Sequence, residues 1–573
     1  MYGHLSKIQR EILDYNEGSV VVKACPGSGK TYSVSARLSR LLYQEEFRRK
    51  GIAVVSFTNV ACKEIEDKLA KDFNTIIPLK YPHFLGTIDS FINRYVFLQF
   101  GHLFMKCEKR PELVGEPHFP WTVRKYKYDY DQYFDKVTFN IDGELIKNAD
   151  SRSFKFSWKD NKDGSPNKHI ENIRRRKLRI FKNGFANQSD SNFIALRILK
   201  KYPLIANNIA NRFEYLIVDE AQDTDDIQMN ILDILHENGL KNIMLIGDRD
   251  QAIFEWNNAK PELFDFKYDK WEKVFLNENR RSSQNICDFI KNLSSFKDIQ
   301  SVTAEVKDYR YRPEIRGFNW YKKKRGENQW VISVEESISS FNSILKYYLE
   351  QCNLHGISIT KENVAVLYRG KNNSKFLGLK TDSFNYEKSP WIDNNFHLRD
   401  IVHGKHLYEN GKLSKGYKLL EKGYFEAKNK SFDKNFFCSS QYINSQIQLN
   451  GFKNHRNEVF SFIDRLPSTK NIELGKWITD CNSIIKQSGY PFDLRIDSSN
   501  GNISINELFG SDLNKKDILP YYYGTIHSAK GRTFEAVLLL IGKTTGSSKN
   551  YATILSADEA TWNSRDKEEL RII

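Results

Sequence analysis

Residues 19–31, SVVVKACPGSGKT, restrict the fold more than any other part of the sequence. An apolar, β-branched run here leads directly into a glycine-rich turn that ends in a lysine and a threonine. In a strand–turn–helix of this kind, backbone N–H groups point inward and hold phosphate oxygens. Lys30 can then reach the β- and γ-phosphates of ATP, and the Thr31 hydroxyl can ligate Mg²⁺. The expected cradle also contains Ala24, Pro26, Gly27, Ser28 and Gly29, with Ala24 where the strict pattern has glycine.

Five further apolar runs predict strands that are buried on both faces. They lie at 51–58, 214–221, 241–248, 362–369 and 534–541. Helical patterns at 31–44 and 226–238 alternate with them, which favours parallel α/β sheets. Two regions, 96–195 and 371–515, interrupt this alternation and are interpreted as insertions.

The run at 214–221 ends in the acidic pair that phosphate hydrolysis requires. In YLIVDEAQD, Asp219 is expected to hold Mg²⁺, and Glu220 to orient and deprotonate the attacking water. The alternative is that both carboxylates only cap a helix. The order of strand, aspartate and glutamate favours the catalytic interpretation.

Composition limits the partners and the compartment. The chain has 573 residues, a formal net charge of +15 and seven scattered cysteines without a metal-binding spacing. Neither a membrane span nor a secretion signal is evident, so we expect a cytoplasmic protein. The positive charge has two open interpretations, which are solvated lysine-rich faces or a polyanionic partner.

Seven segments, in this order, resemble the motifs of the UvrD/Rep group of superfamily 1 DNA helicases. They are LSKIQ (5–9), SFTNVAC (56–62), GTIDSF (86–91), DEAQD (219–223), GDRDQAIFEWNNA (247–259), LNENRRS (276–282) and GTIHSAKGRTFEAV (524–537). The resemblance implies two RecA-like P-loop domains with parallel sheets, each carrying an inserted subdomain, with ATP between the two domains. The expected division is residues 1–95 plus 196–280, insertion 96–195, residues 281–370 plus 516–573, and insertion 371–515.

The resemblance also implies roles for individual residues. Gln9 would read the adenine, Gln251 would sense the γ-phosphate, and Arg281 would contact it from the second domain. Bases of single-stranded DNA would stack on aromatic rings, and polar side chains would hold its backbone. The expected DNA-binding residues are Phe57, Thr58, Asn59, Thr87, Ser90, Phe254, Trp256, His527 and Ser528.

Several positions depart from the family pattern. Tyr32 and Arg280 appear in exchanged positions relative to the arginine and tyrosine that sandwich adenine in the family. We predict the same sandwich with its faces swapped; two unrelated substitutions are the alternative. Asp89 replaces a histidine, and Asn257 and Thr533 replace an arginine and a glutamate. The sequence stops at EELRII (568–573), before the family's last arginine-bearing motif. We expect the natural chain to continue; a protein that lacks this motif is the alternative.

Three functions follow from this sequence. The first is an ATP-dependent 3′–5′ translocase and helicase acting on single-stranded DNA and single-strand/duplex junctions. The second is a helicase-like ATPase of a bacterial antiviral defence complex that works with a partner nuclease. The third is a nucleotide-gated DNA clamp that does not unwind. NIRRRKLRIFK (172–182) is either a duplex-phosphate patch or a solvated helix face.

Overall fold

The computed structural model describes most of the chain. The described residues are 2–3, 5–15, 17–44, 50–75, 79–113, 136–147, 158, 167–252, 259–317, 322–323, 330–368, 396–432, 436, 438, 440–496, 501–509 and 519–541. Phe254, Trp256 and Asn257, and the chain end at 568–573, lie outside them.

The described residues form strands and helices that are numbered in chain order. The strands are β1 Val20–Ala24, β2 Gly51–Ser56, β3 Phe84–Thr87, β4 Glu112–Leu113, β5 Val137–Phe139, β6 Leu145–Lys147, β7 Phe185–Ala186, β8 Phe213–Val218, β9 Asn242–Gly247, β10 Glu272–Leu276, β11 Glu278–Asn279, β12 Gln300–Ser301, β13 Lys322–Lys323, β14 Trp330–Ile332, β15 Val364–Tyr368, β16 Tyr522–Thr525 and β17 Ala536–Leu540. The helices are α1 Lys7–Asp14, α2 Lys30–Tyr43, α3 Asn59–Lys71, α4 Ile88–Ile92, α5 Leu98–Met105, α6 Lys168–Lys182, α7 Gln188–Lys201, α8 Pro203–Arg212, α9 Asp226–Glu237, α10 Pro261–Lys270, α11 Gln284–Lys291, α12 Ala304–Lys307, α13 Val334–Leu354, α14 Phe396–Glu409, α15 Leu413–Lys430, α16 Ser440–Asn450, α17 Phe452–Arg465, α18 Leu474–Gln487, α19 Ile505–Phe509 and α20 Ile526–Ala529.

The first sheet has six strands in the order β10-β1-β9-β8-β2-β3. Every pairing in it is parallel. Side chains of a strand point alternately to its two faces, so each apolar run supplies two cores. Val21 packs on one side of the sheet with α7 and α9, whereas Val20 and Val22 pack on the other with α2. The four predicted strands of this sheet are confirmed, as are the helices predicted at 31–44 and 226–238.

The second sheet has three parallel strands in the order β16-β15-β17. Its buried residues pack with Phe341 and Cys352 of α13. The runs predicted at 362–369 and 534–541 form β15 and β17, so both strands are confirmed. β15 is buried on both faces as predicted, but the prediction of full burial is wrong for β17, which is an edge strand with Val537 49% exposed. An α/β fold with parallel sheets is therefore correct.

The region between α4 and β8 joins the first core. Residues of α5 and α7 share that core with β8 and β9. A small cluster of Val137 and Ile173 lies beside it. Lys177 of α6 fastens the two together, because its Nζ donates to both carboxylate oxygens of Asp190, at 2.7 and 2.9 Å, and to Val137 O at 2.8 Å. This buried, fully bonded ion pair fixes which face of α6 is exposed.

Helices α14 to α19 form a unit with a core of their own, centred on the buried Trp477. Helices α14 and α15 pack closely through glycine: a Cβ added at Gly416 would lie 2.7 Å from the backbone N of Tyr408 and 2.8 Å from Gly404 O. All seven cysteines of the chain are buried and unpaired. Among the described helices, none combines the length and the apolar character needed to cross a bilayer.

Candidate active site

The glycine-rich turn lies at the carboxyl end of β1 and begins α2. Gly27 and Gly29 have φ values of 71° and 80°, in the left-handed region that a side chain would strain. Ser28 between them is 1% exposed, and its Oγ has no hydrogen-bond partner among the described residues. The Pro26 carbonyl accepts from Asn279 Nδ2 at 2.8 Å, so the segment after β10 closes one side of the turn.

The predicted acidic pair lies at the carboxyl end of β8. Asp219 is 2% exposed, and its N–H donates to Val55 O at 2.8 Å. Glu220 adopts a left-handed φ of 55°. This conformation costs free energy for a residue with a side chain. Gln222 holds the Glu220 side chain in place: Nε2 donates to Glu220 Oε2 at 2.6 Å, and Oε1 accepts from the Asp248 N–H at 3.0 Å.

Lys30 is the cation that these carboxylates face. Its Nζ donates to Gln251 Oε1 at 3.2 Å and lies 3.8 Å from Asp248 Oδ2. Gln251 Nε2 also donates to Asp248 Oδ2, at 2.8 Å. The structure therefore brings together Lys30, Gln251 and the acidic pair, which the sequence placed in three separate motifs.

The electrostatics of the cluster shift the pKa values of Asp219 and Glu220 in opposite directions. Burial raises the pKa of Asp219 to about 7, and Glu220 adds to this shift while Lys30 opposes it. Burial acts in the same direction on Glu220, but Lys30 and Lys530 outweigh it and lower its pKa to about 2. Burial would lower the pKa of Lys30, yet Glu220, Asp248 and Asp219 together raise it. Glu220 is thus held as a carboxylate, the form that accepts a proton from water.

Three predicted adenine-binding residues meet beside Gly29. A Cβ added at Gly29 would lie 3.3 Å from Gln9 Nε2, 3.9 Å from Tyr32 Cβ and 4.0 Å from Arg280 Cδ. Gln9 is 2% exposed and its Nε2 has no hydrogen-bond partner among the described residues, although its Oε1 accepts from the Ser6 N–H at 3.2 Å. A buried amide donor without a partner is costly and fits a ligand acceptor.

The turn therefore fits a nucleotide. Its two left-handed glycines leave open the space that side chains would fill, and Ser28 Oγ and Gln9 Nε2 are buried polar atoms that phosphate and base could satisfy. Thr31, at the first turn of α2, and Asp219 are the residues that would hold Mg²⁺. Arg281 lies beside this turn, with its Cβ 3.0 Å from a Cβ added at Gly27.

The predicted DNA-binding residues that the structure describes lie at the carboxyl ends of three strands. Phe57 and Thr58 follow β2, and Thr58 caps α3 by accepting from the Ala61 N–H at 3.2 Å. Thr87 and Ser90 follow β3, and His527 and Ser528 follow β16. Asn59, Ser90 and Ser528 are exposed, whereas Phe57 and His527 are half-buried.

One contact that sequence reasoning missed joins the two sheets. Lys530, which follows β16, donates from Nζ to Asp223 Oδ2 at 2.5 Å and to Gln251 O at 3.3 Å. Asp223 is 2% exposed. Gln222 and Asp248 were missed as well. All four residues lie inside the motifs DEAQD, GDRDQ and HSAKGR, so the polar positions between the expected catalytic residues were the available signal.

A buried lysine on a glycine-rich turn, opposed by carboxylates at the ends of parallel strands, defines a P-loop nucleotide-binding domain. Residues 5–272 match the UvrD/REP helicase N-terminal domain family. This match confirms the resemblance of the chain to the UvrD/Rep group.

Curated proteins similar to this chain have names consistent with the family. A probable DNA helicase II homolog of Mycoplasma capricolum is 25% identical over 306 residues, covering 50% of this chain and 41% of that protein. A homolog of the same name in Mycoplasma pneumoniae is 25% identical over 308 residues, covering 49% and 41%. The ATP-dependent DNA helicase PcrA of Staphylococcus aureus is 22% identical over 323 residues, covering 53% and 42%. The chain thus spans 41–42% of the length of these relatives.

Proposed function

We propose that this chain is an ATP-dependent motor that moves 3′ to 5′ along single-stranded DNA and opens single-strand/duplex junctions. The observation that carries the proposal is the contact of Lys530 with Asp223 and Gln251. This contact connects the second sheet to Gln251, whose side chain accepts a hydrogen bond from Lys30. A change at the nucleotide therefore alters the contact between the two sheets. The names of the similar proteins support a DNA helicase.

The catalytic roles follow from the cluster. Bound Mg²⁺ would offset the charge of the phosphates, with Thr31 and Asp219 as its protein ligands. Glu220, ionised and fixed by Gln222, accepts a proton from the attacking water. Lys30 and Gln251 face the γ-phosphate, and Arg281 approaches it from beyond β10. Loss of that phosphate removes a common partner from both sides of the cleft, which lets the cleft open.

The swapped adenine sandwich is part of the proposal. The ring centroid of Tyr32 lies 5.1 Å from that of Phe73, at an angle of 44°. Burial raises the pKa of the Tyr32 hydroxyl, and Arg280 is near enough to oppose this shift. Tyr32→Ala should weaken ATP binding, because a stacking face is lost. Tyr32→Phe keeps the ring and should bind like the unaltered chain. Unchanged affinity in the alanine variant, measured with a fluorescent ATP analogue, would remove the sandwich.

Single-strand translocation is tested by strand displacement. Three duplexes are compared, with a 3′ single-strand tail, with a 5′ tail and with blunt ends, each with and without ATP. The proposal expects ATP-dependent displacement of the 3′-tailed duplex only. DNA binding without displacement on any substrate would favour the nucleotide-gated clamp.

The partner nuclease and the role in antiviral defence remain predictions. A pull-down from the native host, read by mass spectrometry, tests both. The duplex patch at 172–182 is also still a prediction. Arg174 and Arg175 are exposed on α6, while Arg176 is half-buried. Charge reversal of these three arginines should flatten the salt dependence of duplex binding if they contact phosphates.

A further inference from the structure

Asp89 ties the turn at 86–90 to two helices of the first core. Its Oδ1 accepts from Asn192 Nδ2 of α7 and from Gln228 Nε2 of α9, both at 2.9 Å. Asn192 and Gln228 are each 4% exposed, so neither amide has ready access to water. One carboxylate oxygen therefore satisfies two buried donors, and its removal would leave both unpaired.

Gln228 continues the connection to the catalytic loop. Its Oε1 accepts from the Asp225 N–H at 3.2 Å, and its own N–H donates to Asp225 Oδ1 at 2.7 Å. Asp225 is the end of a short loop that begins at Glu220, and within this loop the Asp223 N–H donates to Glu220 O at 3.0 Å. A loop this short and internally bonded moves as a unit, so a shift of Gln228 is transmitted to Glu220.

We propose that Asp89 is a positioning residue that couples DNA contact at Thr87 and Ser90 to the loop carrying Glu220. The inference rests on the proposed function, because it assumes that this turn touches DNA and that Glu220 acts on ATP. Asp89 itself contacts neither ligand and acts through Gln228. Strand binding that shifts α4 pulls on Gln228 and so changes how well the site accepts a nucleotide.

The chemistry suits aspartate in particular. A carboxylate oxygen has lone pairs for two donors at once, whereas a neutral imidazole has a single acceptor nitrogen. The histidine that the family pattern has at this position could accept from only one of the two amides. This double acceptance is therefore a feature of the present sequence.

The test measures coupling directly. The dissociation constant of a fluorescent, non-hydrolysable ATP analogue is determined with and without saturating oligo-dT, on the full chain. Their ratio is the coupling factor, and by linkage the analogue must alter DNA affinity by the same factor. The wild-type coupling factor should be about five or more. In Asp89→Ala it should be less than about two, which is close to the value of one that means no coupling. The affinity for each ligand alone should stay within about threefold.

Two further variants separate positioning from a general loss of structure. Asp89→Asn keeps an oxygen that can accept both amides and should retain most of the coupling. Asp142→Ala, in the exposed turn between β5 and β6, is a matched aspartate-to-alanine control. Wild-type coupling in Asp89→Ala would overturn the inference, as would equal loss in the alanine and asparagine variants. A wild-type chain that binds the analogue and oligo-dT without any coupling would overturn the proposed motor as well.

Discussion

The same pentapeptide pattern, Gly-Thr-Ile-X-Ser, occurs at the end of β3 (86–90) and at the end of β16 (524–528). In both turns the threonine caps a short helix, and its Oγ1 accepts from the serine N–H, at 3.1 Å in the first and 3.2 Å in the second. Local sequence therefore builds one structure twice, once on each sheet.

The two turns differ in what they are connected to. In the first, the variable residue is Asp89, which bonds inward to α7 and α9, and α4 continues into the first core. In the second, α20 ends after four residues, and the following Lys530 reaches across to Asp223. The first turn is thus bonded to helices that pack on its own sheet, whereas the residue that follows the second turn contacts the other sheet's side of the site.

Lys30→Ala should have the largest effect, because both turns are connected to residues that surround Lys30. Asp219, Glu220 and Asp248 would lose their cation, and the γ-phosphate would lose a ligand. We expect a loss of at least about 100-fold in ATP turnover, in line with the loss of one electrostatic contact to a transition state. A steady-state phosphate-release assay checks this. Lys241→Ala, an exposed residue before β9 at the opposite end of the sheet, is the control and should turn over ATP normally.

Lys530→Ala should break the second turn's connection while leaving the first intact. Asp223 would remain buried without its cation, so we expect destabilisation of about 3 kcal/mol, which urea unfolding measures. Asp223→Asn combined with Lys530→Ala should recover part of it. If the double variant is no more stable than the single one, the contact does not carry this energy.

The Lys530→Ala variant also has a predicted pH dependence. Burial already raises the pKa of Asp223 to about 6, with Lys530 opposing, so losing the lysine raises it further. A folded state with the higher pKa binds more protons than the unfolded state, and its stability falls as pH rises from the unfolded value near 4 through the folded value. The stability difference between the variant and the unaltered chain should therefore widen from pH 5 to pH 7. A constant difference would contradict the assignment.

Exchanging the variable residues Asp89 and His527 tests whether the first turn is more deeply connected than the second. Asp89→His leaves one of two buried amides unpaired and should destabilise the protein by about 2 kcal/mol. His527→Asp, at a half-buried position, should destabilise the protein less than Asp89→His does. Equal effects in thermal unfolding would mean that the first turn is not the more deeply connected one.

Removing either cap should have a smaller effect than Asp89→His. Thr87→Ala and Thr525→Ala each lose one cap bond, worth about 1 kcal/mol of stability. Thr87→Ser and Thr525→Ser retain the hydroxyl and serve as controls. We expect Thr87→Ala to lower the unfolding midpoint more than Thr525→Ala, because α4 leads into the core. The reverse order would break the comparison.

Sequence reasoning found the central strands and missed most of the edge strands. β1, β2, β8, β9 and β15 are buried on both faces and appear as continuous apolar runs. The two sheets have four edge strands, of which β17 was predicted and β3, β10 and β16 were missed. β10, EKVFL, buries only Val274 and Leu276. An edge strand has one neighbour and one solvated side, so its sequence carries a weaker signal. The helical unit of α14 to α19 was recognised only as an interruption.

The sequence by itself determined the parallel α/β fold, the glycine-rich turn and the acidic pair, because each depends on residues adjacent in the chain. Only the tertiary structure decided that Lys30 meets Gln251, that Gln222 holds Glu220 and that Lys530 crosses to Asp223. These contacts join residues whose separation in sequence is 221 for Lys30 with Gln251 and 307 for Lys530 with Asp223. Two turns of the same pattern could be told apart only by the neighbours that folding gave them, since a hydrogen bond depends on distance in space and not along the chain.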